Sequence, residues 1–259
     1  MRMSMRKMEL LLVLVTSVLL TSCYSHRAIG LLQEPTKMNK LPVYDSVGYT
    51  PYRLQVNDEI VYRLITLDET ISKTLGANNQ MNNGQYAQSY RIYSDGTIDL
   101  PFLEPIHIEG LTEVEAQEVV RDAFRKIVPD AEVKLALYNK YFTVIGDIAS
   151  GERYIYKDRL NIYQALAMTG DLAMSGNRKH VRIIRPRNGQ DPEVLEFDIR
   201  TNTLIDSKYY YIYPNDVIYV ERSKQAFFAT SSYTGFLGLI TSSVSLLVTV
   251  LNYATFFAK

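Results

Sequence analysis

The longest pattern in the chain is an uncharged stretch near its C-terminal end. Residues 225–258 contain no Asp, Glu, Lys, Arg or His, and a membrane-spanning helix needs roughly 20 apolar residues. At helical spacing, one face of this stretch is apolar and the other is mildly polar. The polar face carries small hydroxyl and amide side chains, at Thr234, Thr241, Ser245, Thr249 and Asn252. The pattern predicts an amphipathic transmembrane helix within residues 224–259, either a single anchor or one member of a ring with the polar face inward.

Mixed strand and helix patterns predict a first soluble unit over residues 51–139. Asp95-Gly96 lies between two short alternating segments, which is a strong signal for a β-hairpin. Thr112 and Glu115 have the spacing of a capping box ahead of an apolar stripe at helical spacing. A further alternating strand follows this helix, so the unit is expected to be α+β.

A second soluble unit is predicted over residues 140–223. Strand patterns flank turn signals at Ser150-Gly151 and Asn188-Gly189. A short helical pattern lies between these two hairpins and ends at Gly170, a residue that commonly caps helices. The alternation again predicts an α+β unit.

The N-terminal residues have the features of a secretory signal. A basic start is followed by an apolar run over residues 10–20, too short for an ordinary spanning helix. The run ends in Leu20-Thr-Ser-Cys23, which resembles the bacterial lipobox. That resemblance implies cleavage of residues 1–22, lipidation of Cys23 with acyl chains such as palmitate, and a lipidated linker over residues 23–50.

Composition excludes several classes of function. The formal net charge is zero, so nothing favours nucleic acid as a partner. A single Cys excludes an internal disulfide framework and a Cys-rich metal site. His26, His107 and His180 are isolated in the sequence, and the Asp residues lie mostly at turns. No catalytic motif or phosphate-binding loop is present, so we expect no enzyme, cofactor or metal site.

Two side-chain clusters in the second unit have both a structural and a functional interpretation. The basic cluster either blunts an exposed strand edge or attracts an acidic glycan. The tyrosine cluster either supplies core side chains or stacks on sugar rings. The members are Arg178, Lys179, His180, Arg182, Arg185 and Arg187 in the first, and Tyr209, Tyr210, Tyr211, Tyr213 and Tyr219 in the second.

The first unit resembles the polysaccharide export domain of the outer-membrane polysaccharide exporters of Gram-negative bacteria. The resemblance rests on Asp95-Gly-Thr-Ile-Asp-Leu-Pro, on Ile108-Glu-Gly-Leu-Thr, and on the opening Tyr52–Ile60 segment, where Asn57 replaces a common Gly. The second unit is similar to the soluble-ligand-binding β-grasp domain that follows in that family. The segment that carries this similarity is Ala165-Leu-Ala-Met-Thr-Gly-Asp, which lacks the second Gly of the family motif.

The resemblance implies an α+β protein with an export domain, one β-grasp-like domain and a C-terminal transmembrane helix. It implies a lipid-anchored subunit of a capsular or extracellular polysaccharide export channel in the outer membrane, with its body in the periplasm. Copies would form a homo-oligomeric ring, which favours the ring arrangement of the C-terminal helices. The expected partners are the polysaccharide chain, membrane lipid, and an inner-membrane polysaccharide co-polymerase or tyrosine-kinase-like protein.

Two other functions stay open on the sequence. The chain could be an adaptor of the export machinery, anchored by its C-terminal helix in the inner membrane. It could instead be a periplasmic lipoprotein whose β-grasp domain captures a small soluble ligand.

Overall fold

The computed structural model describes residues 26–68, 70–71, 88–223 and 233–257. The predicted signal peptide and Cys23 lie outside these residues. The described elements, in chain order, are α1 (His26–Ile29), β1 (Glu59–Ile65), β2 (Tyr90–Arg91), β3 (Thr97–Ile98), β4 (Ile106–His107), α2 (Glu113–Arg125), β5 (Glu132–Leu137), β6 (Tyr141–Gly146), β7 (Gly151–Tyr154), α3 (Ile162–Ala167), β8 (Gly176–Arg187), β9 (Gln190–Phe197), a 3₁₀ turn (Asn202–Leu204), β10 (Val217–Arg222) and α4 (Tyr233–Phe257). The predicted α+β class is confirmed.

The first core lies between helix α2 and a three-stranded sheet of order β2-β1-β5. The predicted capping box of α2 is present: the Glu115 amide donates to the Thr112 hydroxyl at 3.3 Å, and the Thr112 amide donates to the Glu115 carboxylate at 2.7 Å. Ala116, Val120 and Phe124 are buried at intervals of four residues. This spacing places them on one helical face, which packs on the sheet.

The predicted Asp95-Gly96 turn forms, but the strands beside it do not pair as a hairpin. Gly96 has a φ of +80°, and the Tyr93 amide donates to the Thr97 carbonyl at 2.8 Å. Beyond that contact, β2 pairs with β1 and β3 pairs with β4. The local sequence predicted the turn correctly, but β2 and β3 each pair with a different strand instead of with each other.

The second core lies under one face of a five-stranded sheet of order β7-β6-β10-β8-β9. Strand β10 runs parallel to β6 and antiparallel to β8. Alternate residues such as Val144, Val181 and Ile218 are buried, and α3 contributes Ile162, Ala165 and Leu166 to the same core.

The segment expected to act as a linker packs along the second core; we call residues 26–50 the strap. Leu41 is buried, and the Tyr44 hydroxyl accepts a hydrogen bond from the Asp198 amide at 2.9 Å. The Thr203 hydroxyl donates to the Pro42 carbonyl at 3.0 Å, and the Val47 amide donates to the Asp206 carbonyl at 2.7 Å. The chain therefore contacts the second core, builds the first core, and then returns to complete the second.

Helix α4 is 25 residues long, and nearly all of its described side chains are exposed. Thr, Ser and Asn interrupt its apolar residues. Among the residues that the structure describes, no helix combines the length and apolarity needed to cross a bilayer. The prediction of a transmembrane helix over residues 224–259 is therefore not supported.

Candidate functional site

The first unit has a groove between α2 and the segment that leads into β4; we call it the α2 groove. Its volume is about 610 Å³, within the range of roughly 300–1,000 Å³ common for small-molecule sites. Its apolar walls include Phe102, Ile106, Val119 and Ile127. The Phe102 side chain is 69% exposed, so the groove presents an aromatic ring to solvent.

The turn that carries Phe102 has an unusual backbone. The Leu103 amide donates to the Leu100 carbonyl at 3.2 Å, which closes a four-residue turn with Pro101 in its second position. Phe102, in the third position, has a φ of +66°. Proline followed by a positive φ is the pattern of a type II turn, in which the third position normally requires Gly or Asn. A bulky residue there is strained.

Four polar residues also line the α2 groove: Glu104, His107, Asp122 and Lys126. All four are exposed. Asp122 accepts a hydrogen bond from the Arg121 side chain at 3.3 Å. Glu104 and Lys126 form no ion pair within the described part of the chain. The groove therefore combines apolar side chains with exposed hydrogen-bonding groups.

The basic cluster of the second unit is mostly occupied by internal contacts. Arg178 is buried and donates to backbone carbonyls, including that of Leu172 at 3.2 Å. Arg182 donates to the Glu196 carboxylate at 2.7 Å, and His180 Nδ1 lies 2.6 Å from the same carboxylate. Hydrogen bonds from His180 and Arg182 lower the pKa of Glu196.

The interpretation of this cluster as a strand edge is wrong. Strand β8 lies between β10 and β9, because β10 pairs with it from a distant part of the sequence. Arg185 forms an ion pair with Asp216, and Arg187 forms one with Glu193. Lys179 lines a polar groove of about 490 Å³ beside Glu221, so this face retains some exposed charge.

The tyrosine cluster has mainly a packing role. Tyr209 and Tyr210 pack against the second core. The Tyr213 ring lies parallel to Tyr49 of the strap, with centroids 6.0 Å apart, and the Arg185 guanidinium lies 4.3 Å from the Tyr213 centroid. Because these rings already have aromatic and cationic neighbours, they are poorly placed to stack on a sugar.

Two Asn-Asp turns join the two cores. Asn57 and Asn215 have φ values of 71° and 66°, and the Asp that follows each is fully buried. The Asn215 amide group donates to the Asp58 carboxylate at 3.2 Å, while the Tyr52 hydroxyl donates to it at 2.8 Å. Burial raises the pKa of Asp58, and the hydrogen bonds it accepts oppose that rise. We call this contact the Asn-Asp junction.

Asp216 is the equivalent carboxylate of the second turn. It accepts two hydrogen bonds from Arg185, at 2.8 and 2.9 Å, and one from the Tyr213 amide at 2.8 Å. The left-handed conformation of Asn57 also explains why Asn can stand where the resemblance leads one to expect Gly, since both residues adopt positive φ readily.

The candidate pore-lining residues lie on α4. The Thr241 hydroxyl donates to the Leu237 and Gly238 carbonyls at 3.0 Å, and the Thr249 hydroxyl donates to the Ser245 carbonyl at 2.8 Å. These bonds use the hydroxyl protons within the helix and leave the oxygens able to accept. The backbone of Thr234 and the exposed Asn252 belong to the same helix.

The described histidines lie apart from one another. His107 lines the α2 groove and His180 pairs with Glu196. Within the described ranges, no group of three His, Cys, Asp or Glu side chains could hold a metal ion.

A comparison with known protein families identifies the first unit. Residues 48–137 match the family described as polysaccharide biosynthesis/export protein. This part of the chain is a polysaccharide export domain. It contains every residue that lines the α2 groove and one half of the Asn-Asp junction. The match supports a general role in polysaccharide export by the envelope machinery, with a polysaccharide as the transported substrate.

Proposed function

We propose that this protein is a subunit of an oligomeric outer-membrane channel that exports capsular or extracellular polysaccharide. The observation that carries the proposal is the export domain over residues 48–137. Acyl chains on Cys23 would anchor the protein, and several chains together hold a protein firmly in a membrane. The body would lie in the periplasm, where copies assemble around the path of the polymer.

The proposal assigns the second unit to a β-grasp-like domain over residues 140–223. Its mixed parallel and antiparallel sheet with one helix packed on a single face supports this assignment. The strap and the Asn-Asp junction bind it to the export domain. A subunit with two fixed domains can transmit contacts made by one domain to the other.

In the proposed assembly, helix α4 contributes to the route of the polymer. Thr234, Thr241, Ser245, Thr249 and Asn252 would line that route with hydroxyl and amide groups. Such groups exchange weak hydrogen bonds with a hydrated chain, whereas fixed charges would retain it. An inner-membrane co-polymerase or tyrosine-kinase-like protein would deliver the polymer.

Deletion of the encoding gene tests this function. We expect surface polysaccharide to be lost and polymer to accumulate inside the outer membrane, with recovery when the full chain is supplied. Fractionation of the membranes separates the channel from the adaptor, since the adaptor's C-terminal helix would stay with the inner membrane when Cys23 is replaced. Unchanged surface polysaccharide after deletion would contradict both the channel and the adaptor. A small ligand bound by a monomer would favour the alternative of a periplasmic ligand-binding lipoprotein.

A further inference from the structure

We infer that the α2 groove is a contact site for the transported saccharide, with the Phe102 ring as its stacking platform. The inference rests on the proposed function, because it takes polysaccharide as the substrate. It adds a site, the chemical class of its ligand and the residues that hold it.

The backbone at Phe102 is strained. A Gly or Asn at this turn position would satisfy the backbone at no steric cost, yet the chain has a large aromatic residue there. The ring is not buried, so core packing does not account for it. Strain that the core does not require is typical of functional positions.

The chemistry of the α2 groove suits a sugar ring. A pyranose ring has apolar C–H faces and hydroxyl groups at its edge. Among the residues that line the groove, Phe102, Val119 and Ile127 offer apolar surface to the faces, and Glu104 and Lys126 offer hydrogen-bonding groups to the hydroxyls. The volume of about 610 Å³ suits a short saccharide segment.

The polar lining of the groove favours a saccharide over a protein partner. The buried centre of a protein interface is depleted of charged residues, which are found at its rim. Here Glu104, Asp122 and Lys126 line the groove itself, together with its apolar side chains. A protein covering this groove would have to desolvate Glu104 and Lys126, which lack ion-pair partners in the described part of the chain. A saccharide can hydrogen-bond to them directly.

Substitution of Phe102 by Gly separates this site from a structural role. Gly relieves the positive φ and removes the ring, so the variant should fold at least as stably as the wild type. The probe is a set of short oligosaccharides cut from the surface polysaccharide of the encoding bacterium. Binding to the purified full-length protein is followed by saturation-transfer NMR. We expect the affinity to fall at least tenfold in Phe102→Gly and to be retained in Phe102→Tyr.

Tyr156→Ala is the matched control, because Tyr156 is 57% exposed and lies outside the groove. It should bind like the wild type. Lys126→Gln tests the polar lining of the groove and should weaken oligosaccharide binding without changing the melting temperature.

Two results would overturn the inference. The first is no saturable binding by the wild type, and the second is equal binding by Phe102→Gly and the wild type. If Phe102→Gly binds equally and also dissociates the oligomer, a second copy of the chain is the occupant of the groove. Failure of the proposed function is distinct from both results, because it appears as normal surface polysaccharide after gene deletion.

Discussion

The Asn-Asp junction gives a sharp test of how the two cores are held together. Substitution of Asn215 by Gly keeps a residue that tolerates the positive φ and removes the hydrogen bond to the buried Asp58 carboxylate. Hydrogen bonds to charged groups contribute about 1.5–3 kcal/mol. Because Asn215 is exposed and the bond is 3.2 Å long, we expect the free energy of unfolding to fall by about 1.5 kcal/mol, near the lower end of that range.

The matched control is Asn57→Gly, at the equivalent position of the first turn. Asn57 has nearly the same φ and is also exposed, and its side chain makes no hydrogen bond within the described residues. The effects of Gly on the turn and on the unfolded chain are therefore common to both variants. The difference between them isolates the bond to Asp58.

The assay is thermal unfolding of the full-length protein, followed by circular dichroism. For a domain of this size, 1.5 kcal/mol corresponds to a shift of roughly 3–6 °C in the melting temperature. We expect Asn215→Gly to melt lower than Asn57→Gly by that amount. Equal melting temperatures for the two variants would refute the assignment of a stabilising role to the junction.

Three further predictions concern other parts of the chain. Hydrogen bonds from the Leu67 amide and the Thr66 hydroxyl lower the pKa of Asp130. The ionised Asp130 side chain therefore stabilises the fold above its unfolded pKa of about 4, and this stabilisation is lost as the pH falls through the folded pKa. The melting temperatures of the wild type and Asp130→Asn should converge in acid, and a difference independent of pH would contradict this. Cys23→Ser should leave the precursor uncleaved at the lipoprotein site, as seen by its mass, whereas normal processing would exclude lipidation. If the polar face of α4 lines the route of the polymer, a single Cys in place of Ser245 on that face should react with a charged, membrane-impermeant thiol reagent in the assembled protein. A single Cys in place of Leu247, on the opposite apolar face, should be protected, and equal reactivity would remove the pore-lining assignment.

Local patterns predicted much of the fold because their causes are local. The capping box at Thr112 and Glu115 acts within one helical turn, and the turn at Gly96 needs only a residue that accepts positive φ. The position of the strap was not predictable in the same way. Tyr44 reaches Asp198 across 154 residues, and nothing in the nearby sequence indicates that contact.

The candidate site shows the same limit. Pro101 is a signal for a turn, but a sequence with Phe at the third position does not predict a type II turn, because Gly or Asn is normally required there. The local sequence is compatible with an exposed strand edge at the basic cluster, because the pairing of β8 with β10 is distant in the sequence. The groove forms where α2 lies beside the Phe102 turn, and no local pattern predicts that contact.

In the proposed function, copies of this protein assemble into an export channel. The most direct measurement is the mass of the complex extracted from the outer membrane in detergent, by native mass spectrometry or light scattering. We predict a single species of several identical subunits, with polysaccharide retained when it is extracted during export. A strictly monomeric protein at high concentration, free of polysaccharide, would contradict the account.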